Sequence, residues 1–210
     1  MALFHRATIV PSKEQVIAAW APQQSWGPPE GVPLSVIGAF RFDDPDGQVG
    51  METFLVSADD HVLQVPLTYR DAPLEGADGA LITTIEHSVL GTRWVYDGLQ
   101  DPRFVVMLAA VTLTGQGEAL GMAVYDGRWY IAPTNVRIEG GGWSLERVPV
   151  DGFTTADVVG EVVILANDGF ELTVFRRPQP APRPPIALTA TWAGLPAPLV
   201  LATARTLADR

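Results

Sequence analysis

At 210 residues, with 47% hydrophobic and 18% charged side chains, the chain has material for one substantial core, or one core with a small appendage. Its 14 basic and 24 acidic residues leave a net charge of −10, and no Lys or Arg run offers a footprint for a phosphate backbone, which argues against nucleic acid as a partner. The longest apolar run, from Val105 to Leu113, falls far short of the roughly 20 residues of a membrane-spanning helix.

The chain has no cysteine, so disulfides, thiolate metal sites and cysteine nucleophiles are excluded together, in keeping with a cytoplasmic protein. Lys13 is the only lysine. A Schiff base, a Ser-Lys pair or a phosphate cradle must use it or be absent; beside a helix start it reads as a solvated surface charge. The opening MALFHRATIVPSKEQ has no extended apolar region with a small-residue cleavage site and is expected to begin the fold.

Ser12 followed by Gln15 is a capping-box pattern, and Val16, Ile17 and Trp20 recur at helical spacing, which predicts a helix over 13–20. After a Pro/Gly-rich passage, strands are predicted at 34–42 and 49–57, joined by Asp44-Pro45-Asp46-Gly47. A third strand alternates cleanly, with Leu63, Val65, Leu67 and Tyr69 on one face and Gln64, Pro66, Thr68 and Arg70 on the other. Pro66 donates no ladder hydrogen bond, so this strand is expected at a sheet edge or with a bulge. Strands near 80–86 and 91–96 follow.

Asp101 before Pro102 reads as an N-cap and first helical position, and Phe104, Met107, Leu108 and Val111 form the stripe of a second helix that ends near Gly115. Beyond it, strands are predicted at 119–125 and 128–132 across Asp126-Gly127, a strong hairpin signal. Further strands are expected near 134–139, 143–149, 160–167 and 170–176, with Gly140-Gly141-Gly142 as a flexible hairpin tip. The segment PQPAPRPP, 178–185, reads as an extended linker to a final strand or short tail over 186–203. The fold class is α+β: mainly antiparallel β, as a curved meander sheet or two packed sheets, with about two packed helices.

The densest polar constellation is Glu86, His87, Arg93, Asp97 and Asp101. A His beside a carboxylate suits general base work, and two carboxylates suit acid and base roles, so a hydrolase using Glu86, His87 and Asp97 is a distant alternative. Adjacent strand residues point to opposite faces, which sets Glu86 against His87. Asp101 has a role as a helix cap and Asp97 one as a turn residue. Asp43, Asp44 and Asp46 lack the later bidentate Glu of a calcium loop and read as a turn, as do Asp59 and Asp60. No metal or cofactor is predicted. Of the six tryptophans, Trp20, Trp94 and Trp129 are expected in the core, whereas Trp26, beside Gly27-Pro28-Pro29, and Trp143, beside the glycine run, are expected near solvent as sugar-stacking candidates. The candidate ligand-binding set is therefore Trp26, Trp143, Glu86, His87, Arg93 and Asp97.

The run QVPLTYRDAPLEGA, followed by WVYDGLQDP leading into the apolar helix, resembles the N-terminal cap domain of actinobacterial maltokinases, and more closely the free-standing cap-like proteins of those bacteria. The resemblance runs loosely from the first helix to about Thr203 and is specific over 61–115. The organisation expected is a cap-like domain over 1–177, the linker 178–185, and 186–210 packed on the same domain. In maltokinases the cap precedes a kinase-like body that phosphorylates maltose. None of His5, His61 or His87 has an Asp two residues later, as a kinase-like catalytic loop requires, and a single lysine rules out a GxxxxGK[ST] loop. The resemblance therefore implies a non-catalytic role in sugar or glucan metabolism: docking on a protein partner, such as a sugar-kinase-like protein, or self-association, with an edge strand such as 61–69 or an apolar patch exposed. The alternative is a carbohydrate-binding module with a pocket of convergent polar groups.

Overall fold

The computed structural model describes residues 2–3, 7–132, 134–143, 147–182 and 184–207. His5 and residues 144–146 of the strand expected at 143–149 lie outside them. The chain runs β1 (Ala2–Leu3), β2 (Ile9–Val10), α1 (Lys13–Trp20), β3 (Leu34–Phe42), β4 (Gly50–Ala58), β5 (His61–Arg70), β6 (Leu81–His87), β7 (Gly91–Asp97) and α2 (Pro102–Thr114). It continues through β8 (Gly121–Tyr125), β9 (Arg128–Ile131), β10 (Arg137–Gly140), β11 (Thr154–Val159), β12 (Val162–Ala166), β13 (Phe170–Phe175), β14 (Ala187–Thr191) and β15 (Leu199–Thr206).

Two six-stranded antiparallel sheets carry the fold, in the orders β2-β6-β7-β5-β4-β3 and β10-β14-β15-β13-β12-β11. A third, small sheet has the order β1-β8-β9, with β1 parallel to β8. The α+β expectation holds, but with more than one meander. Helix α1 begins as its sequence dictates: the Ser12 side chain accepts from the Gln15 amide while the Gln15 side chain accepts from the Ser12 amide. It lays Val16 and Ile17 on one face of the first sheet, against Phe54, Val56, Leu63, Val65, Leu67, Ile85 and Val95.

Helix α2 occupies the other side. Phe104, Val105, Leu108, Ala109, Val111 and Leu113 are all buried, packed with Phe40, Phe42, Met51 and Leu55 of the first sheet and with Val163, Leu165, Leu172, Val174, Leu188 and Leu201 of the second. A helix apolar nearly all round fits between two sheets. Asp101 caps it, accepting from the Arg103 amide, and Gly115 ends it in the left-handed conformation.

Four expectations give way. Strand β5 is interior, paired to β4 along its length and to β7 over Leu67–Arg70. Pro66 sits just before the β7 ladder starts; the Gln64 amide, on the same side two residues earlier, donates to the Arg176 carbonyl at 2.8 Å. The missing Pro66 donor therefore falls in a gap between partners. Second, the triple glycine is no flexible tip. Gly140 ends β10, the Gly142 amide donates to the Thr112 carbonyl at 3.0 Å, and a Cβ at Gly140 or Gly142 would lie 1.9 Å from the Val111 oxygen or 2.2 Å from the Leu113 oxygen. These glycines let backbone close on the last turn of α2, where carbonyls lack partners within the helix.

Third, the segment after 178–185 contributes two strands, with β15 between β14 and β13 in the middle of the second sheet. The start of the Pro-rich run lies along β15: Pro180 bridges to Leu199, and the Val200 amide donates to the Gln179 carbonyl. Fourth, no strand is found at 147–149, while β11, whose residues are all exposed, was not anticipated.

Candidate functional site

The predicted site residues fall into three places. Glu86, His87 and Arg93 stand on the β6–β7 hairpin, where Glu86 pairs with Thr92, Ile85 with Arg93 and His87 with Gly91. Arg93 and His87 therefore share one face and Glu86 takes the other. Glu86 accepts from the Thr92 hydroxyl at 2.8 Å, and the His87 Nδ1 accepts from the amides of Val89 and Leu90 at 3.2 and 3.1 Å. Trp143 stands apart after the glycine run, 85% exposed.

Trp26 and Asp97 do meet, through a residue absent from the predicted set. Arg176, directly after β13, is buried; its guanidinium lies 4.8 Å from the centroid of the Trp26 ring, and its Nη2 donates to Asp97 Oδ2. Trp26 itself is only 5% exposed and packs edge-on against Trp20 at 5.5 Å, so the expectation that it faces solvent is overturned. The flat ring carries the guanidinium instead of a sugar. The second Asp97 oxygen accepts from the Leu99 amide, which holds the turn leading to α2. Gln64 adds to this seam: its side chain donates to the carbonyls of Phe175 and Leu201. Joining residues more than 70 positions apart, the seam has no local signature; a lone Arg at a strand end carries no signal.

Beside it, Asp101 is fully buried and accepts from the Thr68 hydroxyl, from Arg70 Nε and from Arg70 Nη2, each at 2.7 Å. This hydrogen-bonded pairing raises the Arg70 pKa above its ordinary value. In the 43–46 turn, Asp44 accepts from the amides of Asp46, Gln48 and Val49, and Arg103 reaches Asp44 and Asp46. Burial works against the charged form, but these amides outweigh it and hold the Asp44 carboxyl below its usual range. Among the described residues no group of three or more His, Asp or Glu is arranged to hold a metal ion, and no helix is long and apolar enough to cross a membrane.

Lys13 corrects a further expectation. Its ammonium is ion-paired to Glu52 and sits over the rings of Phe54 and Tyr69, 5.8 and 5.2 Å from their centroids. Its side chain is only 19% exposed. Burial depresses the Lys13 pKa although Glu52 opposes this. Burial alone would raise the Glu52 pKa, but Lys13 and Arg41 more than offset it and keep the carboxylate ionised. The Tyr69 phenol, buried beside Glu52, is pushed well above its normal pKa. This cluster ties α1 to the sheet.

A cleft of about 540 Å³ lies against the Gly27–Pro29 segment that follows Trp26. Pro28, Pro29, Asp59, Asp60, His61 and Arg177 line it. His61 and Asp60 approach at 3.3 Å, while Arg177 is committed to the Trp26 and Gly27 carbonyls and to Glu161.

Comparison with known proteins adds one finding. Residues 20–101 match the family model of the maltokinase N-terminal cap domain. That span starts at the last residue of α1, takes in β3 to β7 and stops at the N-cap of α2; the second sheet lies outside it. The chain thus resembles the cap domain over these residues. No curated protein matches the chain.

Proposed function

We propose that this chain, built around a segment like the maltokinase cap, is a non-catalytic cap-type protein that acts by docking on another protein. The partner proposed is a sugar-kinase-like body made as a separate chain, in the cytoplasmic sugar or glucan metabolism of an actinobacterium. The observation that carries the reading is the match over residues 20–101. The polar groups of that span support it: Glu52, Glu86, Asp97 and Asp101 are each engaged by a side chain of the fold itself. Pairing of this kind gives each of these carboxylates a structural role in the fold.

The test is reconstitution. The purified chain is mixed with a maltokinase-type catalytic body expressed without its own cap, and maltose phosphorylation and complex formation are measured. A complex with altered kcat/KM is expected; no complex together with an unchanged rate sinks the reading.

The cleft beside Gly27–Pro29 favours a second reading, a carbohydrate-binding module, because its volume lies in the range of small-molecule sites and Asp59, Asp60 and His61 are among the residues that line it. A sugar present at a hundred times its dissociation constant adds about 2.7 kcal/mol to the folded state. A thermal-shift screen with maltose, trehalose, glucosamine and glucans, repeated on His61→Ala, checks it: no shift with any sugar removes this reading.

A further inference from the structure

A second cavity lies on the outer face of the second sheet, and the Pro-rich run that follows β13 forms one of its walls. Its volume is about 330 Å³, at the lower end of the range of small-molecule sites and enough for roughly ten water-sized groups. A bulge shapes its floor. In the β14–β15 ladder Leu188 pairs with Ala202 and Thr189 with Val200, so Leu201 is the extra residue. Leu201 and Ala202 both turn to the core beside α2, and Val200 turns outward to line the cavity with Val162 and Phe175, which pair across β12 and β13. The proline run supplies the other wall with a spacing of three: Pro178 is buried, and Ala181 and Pro184 line the cavity. Three residues per turn is the repeat of polyproline II, which Pro178, Pro180, Pro182 and Pro184 favour. Such a wall is stiff, and its prolines bring no N–H donor.

The polar groups select the ligand. Arg177 lines the cavity, but its Nε donates to the Trp26 carbonyl, its Nη2 to the Gly27 carbonyl, and its Nη1 pairs with Glu161 Oε1 at 3.0 Å. An anion therefore finds every guanidinium nitrogen engaged. A cation that approached Glu161 would meet the Arg177 charge beside it. The Glu161 carboxylate, 43% exposed, has lone pairs to spare for a donor, and the Thr203 hydroxyl can give or accept a hydrogen bond. A neutral hydroxyl on an apolar body uses both: it donates to the carboxylate and accepts from Thr203.

We infer that this cavity binds a small neutral ring compound with a single hydroxyl, a phenol or ring alcohol of roughly ten heavy atoms, its ring on Val162, Phe175 and Val200 and its hydroxyl on Glu161 and Thr203. The site shares only Arg177 with the cleft beside Gly27–Pro29 and stands independently of the readings above. Amide chemical shifts of the isotope-labelled full chain, titrated with para-ethylphenol, test it. Saturable shifts centred on Val162, Phe175, Ala181 and Val200 are expected. Ethylbenzene, para-ethylbenzoate and para-ethylbenzylamine, which lack the hydroxyl or carry a charge, should bind at least about tenfold more weakly. Ala181→Phe fills the cavity from an exposed position and removes the shifts. Thr203→Val weakens para-ethylphenol several-fold and leaves ethylbenzene unchanged. No saturable shift with para-ethylphenol, equal affinity for any of the three analogues, parent-like binding by Ala181→Phe, or parent-like discrimination against ethylbenzene by Thr203→Val would each overturn the assignment.

Discussion

Arg176 lies against Trp26, its guanidinium 4.8 Å from the ring centroid, and this contact fastens the end of β13 to the loop after α1. Asp97, on the first sheet, completes the clamp. Removal of the cation leaves a buried carboxylate without its partner, so Arg176→Ala should cost about 3 kcal/mol. Arg176→Lys should recover less than half of that, because an ammonium cannot lie flat on the indole and reach the carboxylate together. Urea unfolding at neutral pH measures both; a loss under about 1 kcal/mol for Arg176→Ala would show that the clamp contributes little.

Glu52 should make stability depend on pH. Its folded pKa is depressed, so the stabilisation is complete above the unfolded carboxylate value of about 4.3 and is lost as pH falls through the lower folded value. Asp44 adds to the same acid limb for the same reason. Glu52→Gln should cost about 2 kcal/mol at neutral pH, because Lys13 is left partly buried without its partner, and should cost much less near pH 3. Urea midpoints of parent and variant that stay parallel from pH 7 to pH 3 would contradict this.

Gly140→Ala and Gly142→Ala each force a methyl group onto a backbone carbonyl of α2, at 1.9 and 2.2 Å. Backbone cannot rotate aside as a side chain does, and a loss of about 3 kcal/mol or more is expected for each. Gly79→Ala, with open space around its Cβ, should stay within about 0.5 kcal/mol. Equal thermal midpoints for Gly79→Ala and Gly142→Ala would refute the close approach.

Asp101→Ala removes the α2 cap and the partner of Arg70 and Thr68 together. About 3 kcal/mol of destabilisation is expected from the lost cap and the broken pair. Asp101→Asn keeps a capping oxygen and should recover roughly 1 kcal/mol. Chemical denaturation of the two variants side by side decides whether the cap or the ion pair dominates.

What was legible in the chain was local. The capping box at Ser12 and Gln15, the cap at Asp101 before Pro102, and the turns at Asp44–Gly47 and Asp126-Gly127 act over a few residues, and the elements they bound are present. The face assignment along β5 also holds, since Leu63, Val65 and Leu67 pack toward α1 while Thr68 and Gln64 face α2 and the second sheet. Long-range partners decided the rest. Lys13 is drawn in by Glu52, 39 positions away, and Trp26 by Arg176, 150 positions away. Trp129, expected in the core but 58% exposed, follows a strand pattern that reads alike for a buried and an exposed face. Of the candidate site residues, Glu86, His87 and Arg93 share a hairpin as their spacing implied, whereas Trp26 and Asp97 meet only through Arg176, which is marked by nothing in its neighbours.

The central place of β15 also sets an order on assembly during synthesis. All strands of the first sheet and α1 lie within residues 9–97, so they leave the ribosome first. The second sheet cannot close until Leu199–Thr206 arrives, because β15 sits between β13 and β14. Until then Phe40, Phe42, Met51 and Leu55, together with α2, lack the layer that covers them in the finished protein. A nascent chain halted before Leu199 should therefore expose a sticky apolar surface and recruit chaperones, and emergence of Leu199–Thr206 should end that interval.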